Sequence, residues 1–304
     1  MKGFLLGVTA LACLFLCKEG SAHLLEPDCG TTRTSQRVKR VVGGQDAEMN
    51  ANPWMVILFQ DLKLICGGTL ITSRFVLTAA QCFENSINKV RLVEYDMSTN
   101  PDCSSMGCKP PSFEIDIERL IRHPSFDLET MQNDIGLVKL ARNVIFSDHI
   151  RPICLLVNQT VVRTFTSFDV TGWGKTSGTS KTSGTSKTSE FSEKLQTATL
   201  NNLNPMECEE MFFGGLKEYQ ICAGSVTSDT CKGDGGGPLT AQLVYGQIQR
   251  VFQFGITSFG MSRCNEFDWL TKRLPLAEYP MAGSDPWDLM AVGALTSSVQ
   301  FTSG

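Results

Sequence analysis

Histidine is nearly absent from this chain. Among 304 residues there are three, His23, His123 and His149, and no two share the spacing that a helix face or a hairpin needs to converge on a metal. The expectation is therefore no metal site and no other cofactor. An excess of one charge sign is missing too: 27 Lys and Arg stand against 31 Asp and Glu, a formal charge of −4. The two signs are dispersed, so no basic face is available for nucleic acid or anionic lipid. After residue 22 there is no apolar run long enough to cross a membrane. Nucleic acid and membrane are thus set aside as partners.

What is present begins with a leader. Lys2 is followed by the apolar run Phe4 to Cys17 and by the small-residue exit Gly20-Ser21-Ala22. This is the pattern of a secretory signal peptide, with Lys18 and Glu19 ending the run too early for a membrane span. Residues 1–22 are expected to be removed and the mature protein to be secreted and extracellular. Of 12 cysteines the leader holds Cys13 and Cys17; the ten left are an even number, which suits oxidative folding. Spacing alone does not fix their connectivity.

Short β-branched or alternating runs recur between turn residues: Met55 to Phe59, Gly68 to Leu77, Val90 to Tyr95, Ile135 to Leu140, Phe168 to Gly172 and Gly246 to Ser258. That is all-β patterning, and about 200–250 residues of it commonly make one domain. Pro205 to Phe212 predicts a short helix, with Pro205 suited to a first turn and Glu209 and Glu210 early. Lys-Thr-Ser-Gly-Thr-Ser occurs at 175–180 and 181–186, with a third start at Lys187. Such a stretch has nothing to pack and reads as a loop. Asn158-Gln159-Thr160 is the one N-glycosylation sequon. After Leu274, Pro275, Pro280, Gly283 and Pro286 forbid a long helix. Residues 274–304 read as a divergent tail whose composition permits disorder, or as the trace of a mispredicted exon.

Two frames carry the chemistry. Leu77-Thr78-Ala79-Ala80-Gln81-Cys82 and Gly233-Asp234-Gly235-Gly236-Gly237-Pro238-Leu239 resemble those of the trypsin-like serine endopeptidases, and the resemblance runs from about Val41 to Lys272. It implies two six-stranded antiparallel β-barrels, at about 41–150 and 151–273, with a cleft between them, after a light segment at 23–40. The family pattern also implies disulfides Cys66–Cys82, Cys208–Cys222 and Cys231–Cys264, with Cys29 tethering the light segment to Cys154. Cys103 and Cys108 are left to pair locally, which resembles a loop staple of insect clip-type proteases and makes an arthropod source plausible.

In that family the first frame carries a histidine where Gln81 stands, and the second a serine where Gly235 stands. Acyl transfer needs a hydroxyl to attack, an imidazole to take and return its proton, and a carboxylate to orient the imidazole. An amide moves no proton near neutral pH, and glycine has no side chain. Asp134, in Asn133-Asp134-Ile135-Gly136-Leu137, matches the surviving carboxylate. His123 and His149 stand beside prolines in polar segments and read as loop imidazoles rather than relocated bases.

Other parts of the family's apparatus persist. Arg40-Val41-Val42-Gly43-Gly44 resembles the zymogen cleavage junction, whose new amine pairs in the family with the aspartate before the nucleophile, here Asp234. Asp229 matches the carboxylate that selects Lys and Arg, and Ser258-Phe259-Gly260 resembles the segment that pairs with substrate backbone. Asp268 falls at or near a pocket-wall glycine, and a second carboxylate there obstructs the pocket.

The resemblance and its gaps together imply a secreted, catalytically inactive protease homologue, a regulator or cofactor in an extracellular proteolytic cascade of the kind at work in arthropod haemolymph. Its partner would be a protease, a protease substrate or another cascade component. Two alternatives stand beside it: a serine endopeptidase using residues the motifs do not reveal, and a non-functional product of a decaying or mispredicted gene.

Overall fold

The computed structural model describes residues 23–32, 44–105, 107–157, 165–175, 191–209, 216–217, 219–225, 233–260 and 269–273. Outside them lie the leader, Arg40 and Val41, Asn158, most of the hydroxyl-rich repeat, Asp229, Cys231, Cys264, Asp268 and the chain after 273.

In chain order the strands are β1 (His23–Leu24), β2 (Gln45–Asp46), β3 (Met55–Gln60), β4 (Lys63–Leu70), β5 (Phe75–Thr78), β6 (Lys89–Leu92), β7 (Cys103–Ser104), β8 (Gly107–Cys108), β9 (Phe113–Arg122) and β10 (Gly136–Leu140). There follow β11 (Leu156–Val157), β12 (Ser167–Gly172), β13 (Gln196–Asn202), β14 (Gln220–Gly224), β15 (Pro238–Tyr245), β16 (Ile248–Gly260) and β17 (Trp269–Arg273). The strands β10-β5-β4-β3-β6-β9 close into a barrel. In the second sheet, β12-β15-β16-β17-β14-β13, the pairing of β12 with β13 closes six strands into a ring. β2 is an added edge on β13, so residues 45–46 belong spatially to the second barrel.

β3 shows why an aliphatic run makes such a strand. Met55 to Phe59 are all buried, one face lining the barrel and the other covered by neighbouring chain. Full burial of each large apolar side chain is worth about 1.5–3 kcal/mol. The main core joins Ile57, Leu58 and Leu137 to Trp173, Leu195 and Ile256, which come from the second half of the chain. A smaller core, built on Phe168, Leu200 and Leu239, fills the second barrel.

The run Gly68 to Leu77 is two strands rather than one. Thr72 Oγ1 accepts the backbone N–H groups of Arg74 and Phe75 at 3.2 and 3.1 Å and turns the chain between β4 and β5. The expected strand at 90–95 ends at Leu92, because Val93 is left-handed at φ 66°. The helix occupies Pro205–Glu209. Asn204 Oδ1 accepts from Met206 N–H at 3.0 Å while Glu207 Oε1 accepts from Asn204 N–H at 3.2 Å, a reciprocal cap.

Four disulfides form among the described residues: Cys29–Cys154, Cys66–Cys82, Cys103–Cys108 and Cys208–Cys222. The first fastens the light segment, and hydrogen bonds continue the strap. Gly30 N–H donates to the Pro152 carbonyl at 2.8 Å, and the Gly30 carbonyl accepts from Val251 N–H at 2.9 Å. Glycine is required at 30: φ is +64°, and a Cβ would meet the Val251 oxygen at 2.4 Å.

Candidate functional site

Three short pieces converge between the barrels. Gln81 lies in the 3₁₀ turn Ala80–Asn85 that follows β5, Asp134 lies just before β10, and Ser258 lies near the end of β16. Asp134 is fully buried and its carboxylate is held by three neutral donors. Its Oδ1 accepts Gln81 N–H at 2.8 Å, and its Oδ2 accepts Gln81 Nε2 at 2.8 Å and Ser258 Oγ at 2.5 Å. A buried carboxylate satisfied in this way keeps its place without a cation. The other N–H of the Gln81 amide donates to the Ser258 carbonyl. Both neighbours are acceptors, which fixes the orientation of the amide: the NH2 end must face them. Ser258 was expected as a backbone-pairing residue; its hydroxyl contact with Asp134 had no signal in the sequence.

Gly235 completes the group through its backbone. Its carbonyl accepts from Gly67 N–H of β4 at 2.9 Å, tying the two barrels together at the cleft. Neighbouring glycines differ in kind. Gly236 has φ +80°, and a Cβ there would lie 2.1 Å from Thr78 Oγ1 and 2.5 Å from the Gly67 oxygen, so no side chain fits. At Gly235 the nearest atom to an added Cβ is Cys66 Sγ at 3.9 Å. Nothing in the backbone demands glycine at 235.

Asp234 sits against bare backbone. Its Oδ1 accepts Gly174 N–H at 2.8 Å, and a Cβ on Gly172 or Gly174 would meet its carboxylate oxygens at 2.2 Å. The Gly-x-Gly spacing in Gly172-Trp173-Gly174 is the sequence mark of this cradle. Gly233, at φ +108°, lies under the Phe191 ring, 2.7 Å from where its Cβ would be. Gly260 closes the register of β16 opposite Trp269. Neither domain histidine joins the Asp134 group; His123 Nδ1 accepts Ser125 N–H in a local turn at 3.1 Å. Among the described residues there is no group of three or more His, Cys, Asp or Glu able to hold a metal ion, and no helix long and apolar enough to cross a membrane.

Beside the cleft the loop after β6 encloses a buried cation. Lys109 is 7% exposed, Glu94 and Asp102 each 4%. Burial pulls the Lys109 ammonium down to about 8, against the attraction of Asp102 and Glu94. Burial pushes the Glu94 carboxyl up, partly offset by the Tyr95 N–H that it accepts at 3.0 Å. This loop braces the segments that flank the site: Leu195 N–H and Trp173 Nε1 both donate to the Tyr95 carbonyl, at 2.8 and 3.1 Å.

Known proteins place this arrangement. The trypsin family model, described as "Trypsin", matches residues 41–269. Serine protease grass of Drosophila melanogaster is 32% identical over 79% of this chain and 64% of its own length. Spaetzle-processing enzyme of Drosophila melanogaster is 34% identical over 76% of the chain and 62% of its own length. Phenoloxidase-activating factor 3 of Holotrichia diomphalia is 34% identical over 73% of the chain and 65% of its own length. The chain therefore spans a little under two thirds of the length of these relatives. Among solved structures, the Drosophila Grass clip serine protease of the Toll pathway aligns with TM-score 0.67 at 30% identity, covering 87% of this chain and 74% of that one. Mouse neuropsin aligns with TM-score 0.61 at 28% identity, covering 77% and 94%. The chain belongs to the trypsin family of serine proteases, with insect clip serine proteases among its relatives.

Proposed function

We propose that this protein is a secreted, non-catalytic member of its family that acts by binding, as a regulator or cofactor in an extracellular proteolytic cascade. The observation that carries the reading is the group around Asp134: the side chain on the carboxylate is the amide of Gln81, and the residue bound through its carbonyl to Gly67 of β4 is Gly235, which has no side chain. Acyl transfer has neither proton shuttle nor nucleophile at those positions. In a related triad, loss of the serine or the histidine alone costs about a millionfold in turnover. The cascade context rests on the relatives, whose names describe processing of Spaetzle and activation of phenoloxidase. Secretion is supported by the leader pattern and by four disulfides, which belong to oxidising compartments. The partner would be a protease, its substrate or another cascade component.

The retained cradle for Asp234 gives this reading a switch. Cleavage after Arg40 would free the Val41 amine, which is proposed to pair with Asp234 and order the cleft rim, changing binding rather than catalysis. The test of inactivity is direct: purified protein cleaved after Arg40 should turn over Arg and Lys ester substrates no faster than buffer. Hydrolysis that co-purifies with the chain through successive columns refutes the proposal.

A further inference from the structure

The end of β16 presents a backbone acceptor to the cleft, and the chain itself occupies it. β15 runs beside β16 only as far as the Pro238–Ile256 pair. Among the described residues Thr257 is the last backbone tie of β16 to this side, donating to the Gly237 carbonyl and accepting from Gly236 N–H, each at 2.8 Å. On the other side β17 pairs with Thr257 and then with Phe259 and Gly260, the register shifting between Thr257 and Phe259. Ser258 is thus the bulged residue, passed over by both neighbouring strands. Its carbonyl is turned to the Gln81 amide, and its hydroxyl to Asp134.

A strand that outruns its partner is a template for an extended peptide, which adds by backbone hydrogen bonds. Such a guest must donate an N–H to the Ser258 carbonyl to hold register with the bulge. That acceptor already has a donor, and the donor is anchored: the same Gln81 amide is fixed on buried Asp134, and Gln81 N–H holds the second oxygen. Displacing it would leave Asp134 short of a donor in a fully buried place.

We infer that the Gln81 side chain is an internal stopper: it competes with any extended peptide for the Ser258 carbonyl, so that the cleft of this protein disfavours substrate-like strands and discriminates against ordinary protease inhibitors. The inference rests on the reading of the chain as a binding protein, and assigns its partner contacts to surfaces other than a strand in the cleft. Gln81 serves here as a specificity-determining residue. Its effect lies in the donor it supplies; its bulk is secondary.

Two substitutions remove the donor differently. Gln81→Ala deletes the side chain. Gln81→His keeps a donor for Asp134, because a neutral imidazole has one N–H and Asp134 takes it, leaving none for the carbonyl. The probe is aprotinin, whose reactive loop binds as an extended strand, together with forms that carry glycine or methionine in place of the lysine at the loop tip. These forms separate backbone pairing from side-chain fit in the pocket. Binding is measured by surface plasmon resonance on protein cleaved after Arg40, with thermal unfolding confirming that each variant is folded. For at least one form of the probe, both variants should bind about tenfold or more tightly than wild type, the worth of one backbone hydrogen bond freed for the guest, about 1.4 kcal/mol. Equal affinity of all three proteins, or binding by none, overturns the inference; so does tighter binding by Gln81→Ala alone, which would assign the effect to bulk. Cleavage of the probe's loop by wild type would instead refute the non-catalytic reading, and the affinity ratio would still judge the stopper.

Discussion

Gln81 Nε2 lies 2.8 Å from Asp134 Oδ2, and Gln81 N–H lies 2.8 Å from Asp134 Oδ1, so one residue holds both oxygens of a fully buried carboxylate. The residue acts as a structural clamp on Asp134. Gln81→Ala should therefore destabilise the fold by about 1–3 kcal/mol, the cost of leaving a buried acceptor short of a donor. Ser258→Ala should cost a similar amount, and the two losses should not add, because they share one acceptor. Chemical denaturation of the two single variants and the double variant checks this. Strict additivity would mean that Asp134 is served by other donors.

Gly235→Ser should fold with a stability change within about 1 kcal/mol, because a Cβ there meets nothing closer than Cys66 Sγ at 3.9 Å. Gly236→Ala should fail or lose more than about 3 kcal/mol, since left-handed strain and contact with Thr78 and Gly67 combine. Secretion yield and unfolding midpoints measure the contrast.

The double variant Gln81→His with Gly235→Ser should become labelled by a fluorophosphonate, because Asp134 stands where it can orient the imidazole. Cleavage after Arg should stay weak, as the expected placement of Asp268 beside Asp229 narrows the pocket. Efficient cleavage of Arg peptides by the double variant would disprove that pocket reading.

Cleavage after Arg40 should strengthen binding to a partner captured from native fluid, and Asp234→Asn should abolish the difference. A Val41 amine paired with Asp234 would have its pKa raised above the ordinary value near 8. The stabilisation is then complete below that value and lost as pH rises through the raised pKa. Affinity measured from pH 7 to 10 for cleaved, uncleaved and Asp234→Asn protein tests the switch, and equal curves would mark it as a relic.

Lys109 should show the opposite sign. Its ammonium is drawn down to about 8 in the folded protein by burial among Glu94 and Asp102, against about 10.4 in the unfolded chain. Between those values the unfolded state binds the extra proton, so stability contributed at this site rises with pH, by on the order of 3 kcal/mol. Urea midpoints of wild type relative to Lys109→Met should climb between pH 8 and 10.5. A flat difference would mean that the lysine is solvated.

The sequence by itself determined the family and the all-β class. The reason is local: Leu77 to Cys82 and Gly233 to Leu239 are continuous frames that can be read residue by residue without any tertiary structure. It also marked the helix start, because Pro205 suits a first turn; the cap of Asn204 and Glu207 that holds it came from the structure. Strand limits were less legible. A polar turn such as Thr72 to Arg74 hides inside an apolar run, and β9, with partly exposed residues along most of its length, lacks the clean alternation that reveals a strand. Only the tertiary structure decided what Gln81 and Gly235 do. It brought Ser258 across 124 residues to Asp134, set the Gln81 amide between them, and showed that Gly236 is glycine by necessity while Gly235 is not. Those relationships depend on two barrels meeting along a cleft, and contacts between residues so far apart in the chain leave no local pattern to read.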